Sequence, residues 1–175
     1  VKVVDLMFLD DYQGDLRRAI KSFRPDVIGI SLRNVDNQSF VDPVMYIDHD
    51  KEVASICREC SSAPIVLGGG ALSTYPEQYL SYLGADFGVV GEGERAFNSL
   101  LDALENGHGN AAVPGLVHRD GGQVVVNHPD VIEDIGSLKS PAWGLFDLDR
   151  YQEGKARVTY QEKRGCHYCC AFCYT

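Results

Sequence analysis

The sequence predicts an α/β fold: a doubly wound parallel sheet followed by a β-hairpin and a linker. Three observations predict it. Short apolar runs alternate with amphipathic stretches of about ten residues. The runs lack polar alternation, which is typical of strands covered on both faces. Glycine-rich turns close the later runs. Because ligands bind such sheets beyond the carboxyl ends of the strands, we expect a site at that edge.

The predicted elements follow in chain order. Strands are expected over residues 1–9, 27–32, 65–67 and 87–90. Helices are expected over residues 15–23, 50–60, 77–83 and 95–105. A hairpin is predicted over residues 115–127, with its turn at 119–122. A linker without sustained periodicity covers 129–154, and an alternating strand is predicted over 155–161.

Composition and charge exclude several classes of function. The 175 residues carry a formal net charge of -9, which argues against a nucleic-acid partner because such partners require clustered cations. No apolar run reaches the roughly 20 residues of a membrane span, so we expect no membrane association. We also expect a cytoplasmic location, since neither a signal peptide nor a spread disulfide framework is visible.

Four of the six cysteines lie close together near the carboxyl terminus. Cys166, Cys170 and Cys173 have the spacing C-x-x-x-C-x-x-C, which lets one loop ligate three irons of a 4Fe-4S cluster and leave the fourth iron open. Structural zinc on two overlapping C-x-x-C pairs and a redox dithiol are alternatives, and Cys169 is a spare thiol in the favoured interpretation. Cys57 and Cys60 are interpreted as packing or surface thiols, and the five histidines show no ligand spacing.

Three loops should line the carboxyl edge of the sheet: residues 33–38, 68–73 and 91–94. Glycines in the second loop allow close approach of the backbone to a bulky ligand, although tight turns explain them as well. Glu92 fits either a ligand contact or a helix-start carboxylate. Neither glycine run fits G-x-G-x-x-G, so dinucleotide cofactors are set aside.

The motifs together resemble a known family. The stretch RGCHYCCAFC at 164–173, with an aromatic residue before the last cysteine, is similar to the cluster loop of radical S-adenosylmethionine (SAM) enzymes. The stretches PDVIGIS at 25–31, LGGG at 67–70 and VVGEGE at 89–94 resemble the Rossmann-like cobalamin-binding domain that precedes the barrel in one subgroup. Their order, with PAW at 141–143 between them, makes the joint match specific.

The resemblance implies a cobalamin-binding domain over residues 1–110, a hairpin and linker over 111–154, and the start of a radical SAM domain over 155–175. It implies cobalamin, a 4Fe-4S cluster and S-adenosylmethionine as cofactors. Cys166, Cys170 and Cys173 would ligate the metal. The residues implied to contact cobalamin are Ser31, Arg33, Asn34, Asn37, Gly68, Gly69, Gly70, Ser73, Gly91, Glu92 and Gly93. A bulky side chain at Gly69 is expected to weaken corrin retention without unfolding the domain.

The implied activity is a cobalamin-dependent radical SAM enzyme, with methyl transfer to a weakly activated carbon as the expected reaction. A small-molecule or peptide substrate and an external electron donor are the expected partners. A methylthiotransferase-like radical enzyme without cobalamin is one alternative; the leading domains of such enzymes usually bring additional cluster cysteines, for which Cys57 and Cys60 are the candidates. A non-catalytic Rossmann-like module with a zinc-binding tail is the other.

Two departures from the family pattern bear on these expectations. In the family, a first strand and helix precede the elements seen here, and a barrel follows the cluster loop, so we expect this stretch alone to be inactive. Some cobalamin proteins bring a histidine to the cobalt from a D-x-H-x-x-G motif after their first strand; this stretch shows no such motif, and the lower cobalt ligand stays open.

Overall fold

The computed structural model describes residues 1–107, 112–154, 164–166, 168 and 170–171. The chain forms two compact units, one of residues 11–139 and one of residues 1–10 with 140–175. In the described ranges, no helix combines the length and the apolar character needed to cross a bilayer.

The larger unit is built on one sheet with five strands in its described part. The strands are β1 (Ile28–Ser31), β2 (Ile65–Gly68), β3 (Phe87–Val89), β4 (Leu116–Asp120) and β5 (Gln123–Val126), and they lie in this order. The first three are parallel, as predicted. The predicted hairpin is also confirmed, and it extends the same sheet by pairing antiparallel to β3.

The helices agree closely with the predicted ranges. They are α1 (Tyr12–Phe23), α2 (Ile47–Cys60), α3 (Gly70–Thr74), α4 (Pro76–Leu83), α5 (Gly93–Asn106) and α6 (Leu148–Glu153). The short helix α3 begins directly after β2 and was not predicted. The linker contains two 3-10 turns, Ile135–Ser137 and Trp143–Leu145, in addition to α6.

Helices cover both faces of the sheet. On one face, Ala96 and Leu100 of α5 pack with Val66, Val89 and Leu116 of the central strands. The helices α3 and α4 lie on the opposite face, where α2 packs against α4 and β2. Burial of these apolar side chains supplies the main stabilising free energy, and it fixes where each strand ends.

Gly88 in β3 allows α3 to approach the sheet closely. A Cβ atom at this position would lie 3.0 Å from Leu72 Cδ2 and 3.2 Å from Val117 Cβ. Leu72 is fully buried in α3, so its side chain fills the space that a side chain at residue 88 would take. The position of α3, and of the loop that leads into it, therefore depends on this glycine.

The helix α1 begins and ends at identifiable residues. The carboxylate of Asp11 accepts a hydrogen bond from Gly14 N at 3.0 Å, and Arg24 ends the helix in the left-handed conformation. Polar pairs join α1 to α2: Gln13 donates to Glu52 at 2.6 Å, and Arg17 pairs with Glu59 at 2.5 Å. These exposed pairs set the register of the two helices more than their stability.

The smaller unit corrects the prediction for residues 1–9. They do not form a strand: Leu6–Phe8 is a 3-10 helix, capped by the carboxylate of Asp5, which accepts from Met7 N at 3.1 Å. The Phe8 ring packs edge-on against Tyr151 with 4.7 Å between centroids, and Tyr151 donates to Asp5 at 2.5 Å. Side-chain packing against α6 thus replaces sheet pairing. The predicted strand at 155–161 lies outside the described residues.

Candidate functional site at the carboxyl edge of the parallel strands

The three predicted loops do meet at one edge. Ser31 pairs with Gly68, and Gly68 pairs with Val89, so the last residues of β1, β2 and β3 are side by side. The loop at 33–38, the loop at 68–73 and the loop at 91–94 leave the sheet from this row. We call them the first, second and third loops.

Backbone contacts lock Leu32, the residue before the first loop, to the second loop. Leu32 N donates to Gly68 O at 2.7 Å, and Ala71 N donates to Leu32 O at 3.0 Å. Gly69 has a φ of +99°, and a Cβ there would lie 2.4 Å from Leu32 O. The glycine is therefore required by the fold itself. The expectation that Gly69 could be enlarged without unfolding the domain is wrong.

Gly68 behaves differently from its neighbour. Its backbone is ordinary strand, and a Cβ built on it would have no heavy atom of the described chain within 4 Å. Register places this open direction beside Ser31, which is exposed on the same face of the sheet. Nothing in the fold requires a glycine here. The free space is of the kind a closely approaching ligand would use.

The first loop is ordered by its own side chains. The Asn37 Oδ1 atom accepts from Ser39 N and Val44 N, both at 3.1 Å, and Asn37 Nδ2 donates to Asp42 O at 2.9 Å. The Asn37 amide was predicted to contact the cofactor. In the structure both of its polar atoms bond to nearby backbone, and they thereby shape the loop. Arg33 and Asn34 are exposed at the start of the loop, which fits a ligand contact and a solvated loop equally.

The second loop runs into α3, where Gly70 is the first helical residue. The Ser73 hydroxyl donates to Gly69 O at 3.2 Å and accepts from Gly91 N at 3.1 Å. The second loop is therefore bonded to the third by a side chain that was predicted to contact the cofactor.

The third loop is held by a segment that the sequence interpretation missed. The Glu92 Oε2 atom accepts from Ile132 N at 2.5 Å, and Glu92 is the N-cap residue of α5, which is the helix-start position of one of the two roles considered. Gly91 has a φ of +73°, and a Cβ there would lie 3.1 Å from Pro129. Gly93 begins α5. The only visible signal for this segment is Pro129, placed directly after the hairpin.

The cysteine loop is described only in part. Cys166 and Cys170 are exposed and reduced. Cys169 and Cys173 lie outside the described residues, so the three-thiolate ligand set stays a prediction.

The other two cysteines behave as packing residues. Cys57 is buried in α2, where burial raises the pKa of its thiol from 9.0 to about 11. A thiol held protonated is a poor metal ligand, because metals bind the thiolate. Cys60, in the last turn of α2, is half-buried and close to Arg17. Cys57 and Cys60 therefore fit the predicted role of packing thiols.

With this geometry in hand, comparison with known proteins decides the family. The family model described as the B12 binding domain matches residues 1–101. The chain belongs to the B12-binding domain family. The resemblance to cobalamin-binding-domain-containing radical SAM enzymes is thereby confirmed, and all three loops lie inside the matched range.

Named relatives of this B12-binding chain include methyltransferases. The tryptophan 2-C-methyltransferase of Streptomyces laurentii is 34% identical over 135 residues, covering 75% of this chain and 22% of that protein. An uncharacterised methyltransferase of Pyrococcus horikoshii is 29% identical over 177 residues, covering 99% of this chain and 36% of that protein. The chain thus spans well under half the length of either relative.

Solved structures agree. The radical SAM methyltransferase TsrM from Kitasatospora setae, with cobalamin and a [4Fe-4S] cluster bound, superposes with a TM-score of 0.69 at 29% identity, over 81% of this chain and 25% of that one. The cobalamin-dependent radical enzyme OxsB superposes with a TM-score of 0.70 at 23% identity, over 92% of this chain and 21% of that one. The OxsB match supports the α/β fold alone.

The residues at the edge fit a bulky cofactor. Gly68 leaves free space, Ser31 and Gly69 are exposed beside it, and the loops around them are fixed by internal hydrogen bonds. A rigid edge with room at its centre needs little reorganisation on binding. The B12-binding chain therefore has free space beside its backbone at this edge, of the kind that a bulky cofactor needs.

Proposed function

We propose that this chain is the cobalamin-binding part of a cobalamin-dependent radical SAM enzyme, and that the enzyme methylates a weakly activated carbon. Membership of the B12-binding family supports the first half of the proposal. The names of the relatives support the second, since one is a tryptophan 2-C-methyltransferase. A small-molecule or peptide substrate and an external electron donor complete the proposal.

The observation that carries the proposal is the open space at Gly68. Gly69 and Gly91 are glycines because the chain itself crowds them or requires a positive φ, whereas nothing in the described chain explains Gly68. A glycine without an internal reason, at the centre of a three-loop edge, is best explained by something that packs against its backbone. In this family that group is cobalamin.

The residues of the edge divide the work of binding. Gly68 and Gly69 would let the cofactor approach the backbone, while Ser31, Arg33 and Asn34 would offer polar groups from the first loop. When bound, cobalamin would itself carry the methyl group. The contribution of the protein is to hold it in one orientation and to exclude water.

The cysteine loop would hold the second cofactor. Cys166 and Cys170 are exposed, as ligands of a surface-loop cluster need to be before it assembles. Together with Cys173 they would bind a 4Fe-4S cluster whose fourth iron is open to S-adenosylmethionine. The buried Cys57 disfavours the methylthiotransferase alternative so far as that relied on Cys57 and Cys60 as extra ligands.

Titration with hydroxocobalamin tests the cobalamin half. The wild-type chain should shift the visible absorption bands of the corrin with saturable binding. Gly68→Val should weaken the affinity by about tenfold or more, because its side chain would fill the space that the ligand needs. The melting temperature should change little, because valine fits strand backbone and its Cβ would have no heavy atom of the described chain within 4 Å. Equal affinity for the wild type and Gly68→Val would contradict the proposed role of this edge.

Anaerobic reconstitution with iron and sulfide, followed by metal analysis, tests the cluster half. Cys166→Ala, Cys170→Ala and Cys173→Ala should each abolish iron incorporation, whereas Cys169→Ala should leave it near normal. Zinc without iron in the wild type would favour the non-catalytic module. Iron without corrin binding would favour the enzyme class that lacks cobalamin.

A further inference from the structure

Ser73 connects the second loop to the third through a single hydroxyl. Its Oγ atom donates to Gly69 O at 3.2 Å and accepts from Gly91 N at 3.1 Å. The backbone N–H of Ser73 also donates to Gly69 O, at 3.1 Å. One side chain thus joins the loop that follows β2 to the loop that follows β3.

Both partners of this hydroxyl are fixed by other contacts. Gly69 has a positive φ and abuts the Leu32 carbonyl, and Gly91 has a positive φ and abuts Pro129. The hydroxyl therefore joins two points of the backbone that have little freedom of their own. A path of contacts runs from Leu32, the residue before the first loop, through Gly69 and Ser73 to Gly91, and it joins the second and third loops to the end of β1.

The chemistry at residue 73 requires a hydroxyl. The group must donate one proton and accept another at the same atom, which serine and threonine do and alanine does not. Because its only proton is committed to Gly69, the hydroxyl has none left for an acceptor group on a ligand. The Gly91 N–H is likewise directed at Ser73.

We propose that Ser73 is a positioning residue: it fixes the third loop against the second so that both present one continuous surface to cobalamin. This inference rests on the proposed function. It replaces the direct contacts predicted for Ser73 and for the Gly91 N–H with an indirect role. A surface that is fixed before binding loses less entropy when the cofactor arrives.

The test compares Ser73→Ala with Ser73→Thr and with a control in the same helix. Thr74 Oγ1 donates to Gly70 O at 2.9 Å, so Thr74→Val removes a similar bond that stays within α3. Two quantities are measured on the full chain: hydrogen exchange of the Gly91 amide in the cobalamin-free protein, and hydroxocobalamin affinity from absorption titration. Thermal melting checks that every variant is folded.

Ser73→Ala should speed exchange at Gly91 by about tenfold and weaken cobalamin binding by about fivefold, as expected for the loss of one hydrogen bond. Ser73→Thr and Thr74→Val should match the wild type in both measurements. Unchanged affinity in a Ser73→Ala protein with faster Gly91 exchange would overturn the inference, as would an equal loss of affinity in Thr74→Val.

Failure of the proposed function has a different signature. In that case the wild type and all variants fail to bind cobalamin alike, whereas the exchange rates still report on the bond between Ser73 and Gly91. An unchanged exchange rate in Ser73→Ala would show that this bond does not hold the third loop, whatever the affinity.

Discussion

The carboxylate of Glu92 accepts a hydrogen bond from the backbone N–H of Ile132 at 2.5 Å. This bond joins the N-cap residue of α5 to a segment that lies beyond the hairpin, and the Ile132 side chain is buried there. Glu92, which was considered for a ligand contact or a helix start, thus holds the segment around Ile132 next to the third loop.

Glu92→Ala should destabilise the larger unit by about 1.5 to 3 kcal/mol, because it leaves the Ile132 N–H without its charged acceptor. Glu92→Gln should cost less, since the amide oxygen still accepts. Urea unfolding gives the free energies, and exchange at the Ile132 amide shows where the loss occurs. Glu105→Ala, an exposed change at the other end of α5, is the control. Equal effects at residues 92 and 105 would argue against the bond.

Gly69→Ala should destabilise the protein by about 3 kcal/mol or more, because the new Cβ would meet Leu32 O at 2.4 Å in a left-handed backbone. The matched control is Gly107→Ala, which also has a positive φ but open space around it, and should cost about 1 kcal/mol. Denaturant unfolding measures both. A cost at Gly69 no greater than that at Gly107 would show that the loops can separate.

The buried thiol of Cys57 should make stability depend on alkaline pH. Its pKa is raised from 9.0 to about 11, so the unfolded chain releases this proton first. The contribution of the protonated Cys57 thiol to the free energy of unfolding is therefore fully present below pH 9. As the pH rises towards 11, this contribution is lost, and the free energy of unfolding falls by on the order of 2 kcal/mol.

The measurement is the free energy of unfolding at pH 8 and pH 10.5 for the wild type and for Cys57→Ala. The pKa values of Tyr12, Tyr79 and Tyr82 are also raised, so these tyrosines add to the alkaline pH dependence. The difference between the two proteins gives the contribution of the Cys57 thiol alone. Cys60→Ala should keep the wild-type pH dependence. Parallel curves for the wild type and Cys57→Ala would rule the thiol out.

Phe8→Ala should lower the free energy of local unfolding of the smaller unit by about 1 to 2 kcal/mol. The change removes the edge-on contact with Tyr151 and the Arg150 guanidinium that lies 5.1 Å from the Phe8 ring centroid. Hydrogen exchange of the α6 amides should rise, while exchange in the sheet stays constant. Met7→Ala, at an exposed neighbouring position, serves as the control. Unaltered exchange in α6 would mean that other contacts hold this unit.

The sequence allowed prediction of those parts of the fold in which local pattern and long-range packing agree. The strands at 27–32, 65–67 and 87–90 were found within one or two residues, because buried parallel strands are short apolar runs closed by turns. Residues 1–9 have a similar pattern, yet they pack on α6. None of residues 1–9 is buried, so an apolar run alone does not show whether a segment enters the core or packs at the surface.

The candidate site was predictable in position but not in the roles of its side chains. The meeting of three loops follows from parallel topology. Asn37 is held by backbone atoms two to seven residues away, so its role depends on the shape of that local loop. Whether Ser73 and Glu92 face a ligand or the backbone depends on distances between segments far apart in sequence. The same holds for the two adjacent glycines, since only the fold shows that Gly69 is crowded and Gly68 is not.

The missing side chain at Gly88 links the packing of the core to the position of the second loop at the carboxyl edge of the sheet. Leu72 occupies the place of the missing side chain, so a methyl group at residue 88 would lie 3.0 Å from Leu72 Cδ2, and either that side chain or α3 would have to shift by a few tenths of an ångström. A smaller residue at position 72 would make room for that methyl group. Gly88 and Leu72 are both buried. The sizes of these two residues can therefore influence how far the backbone at Gly69 and Gly70 lies from the sheet.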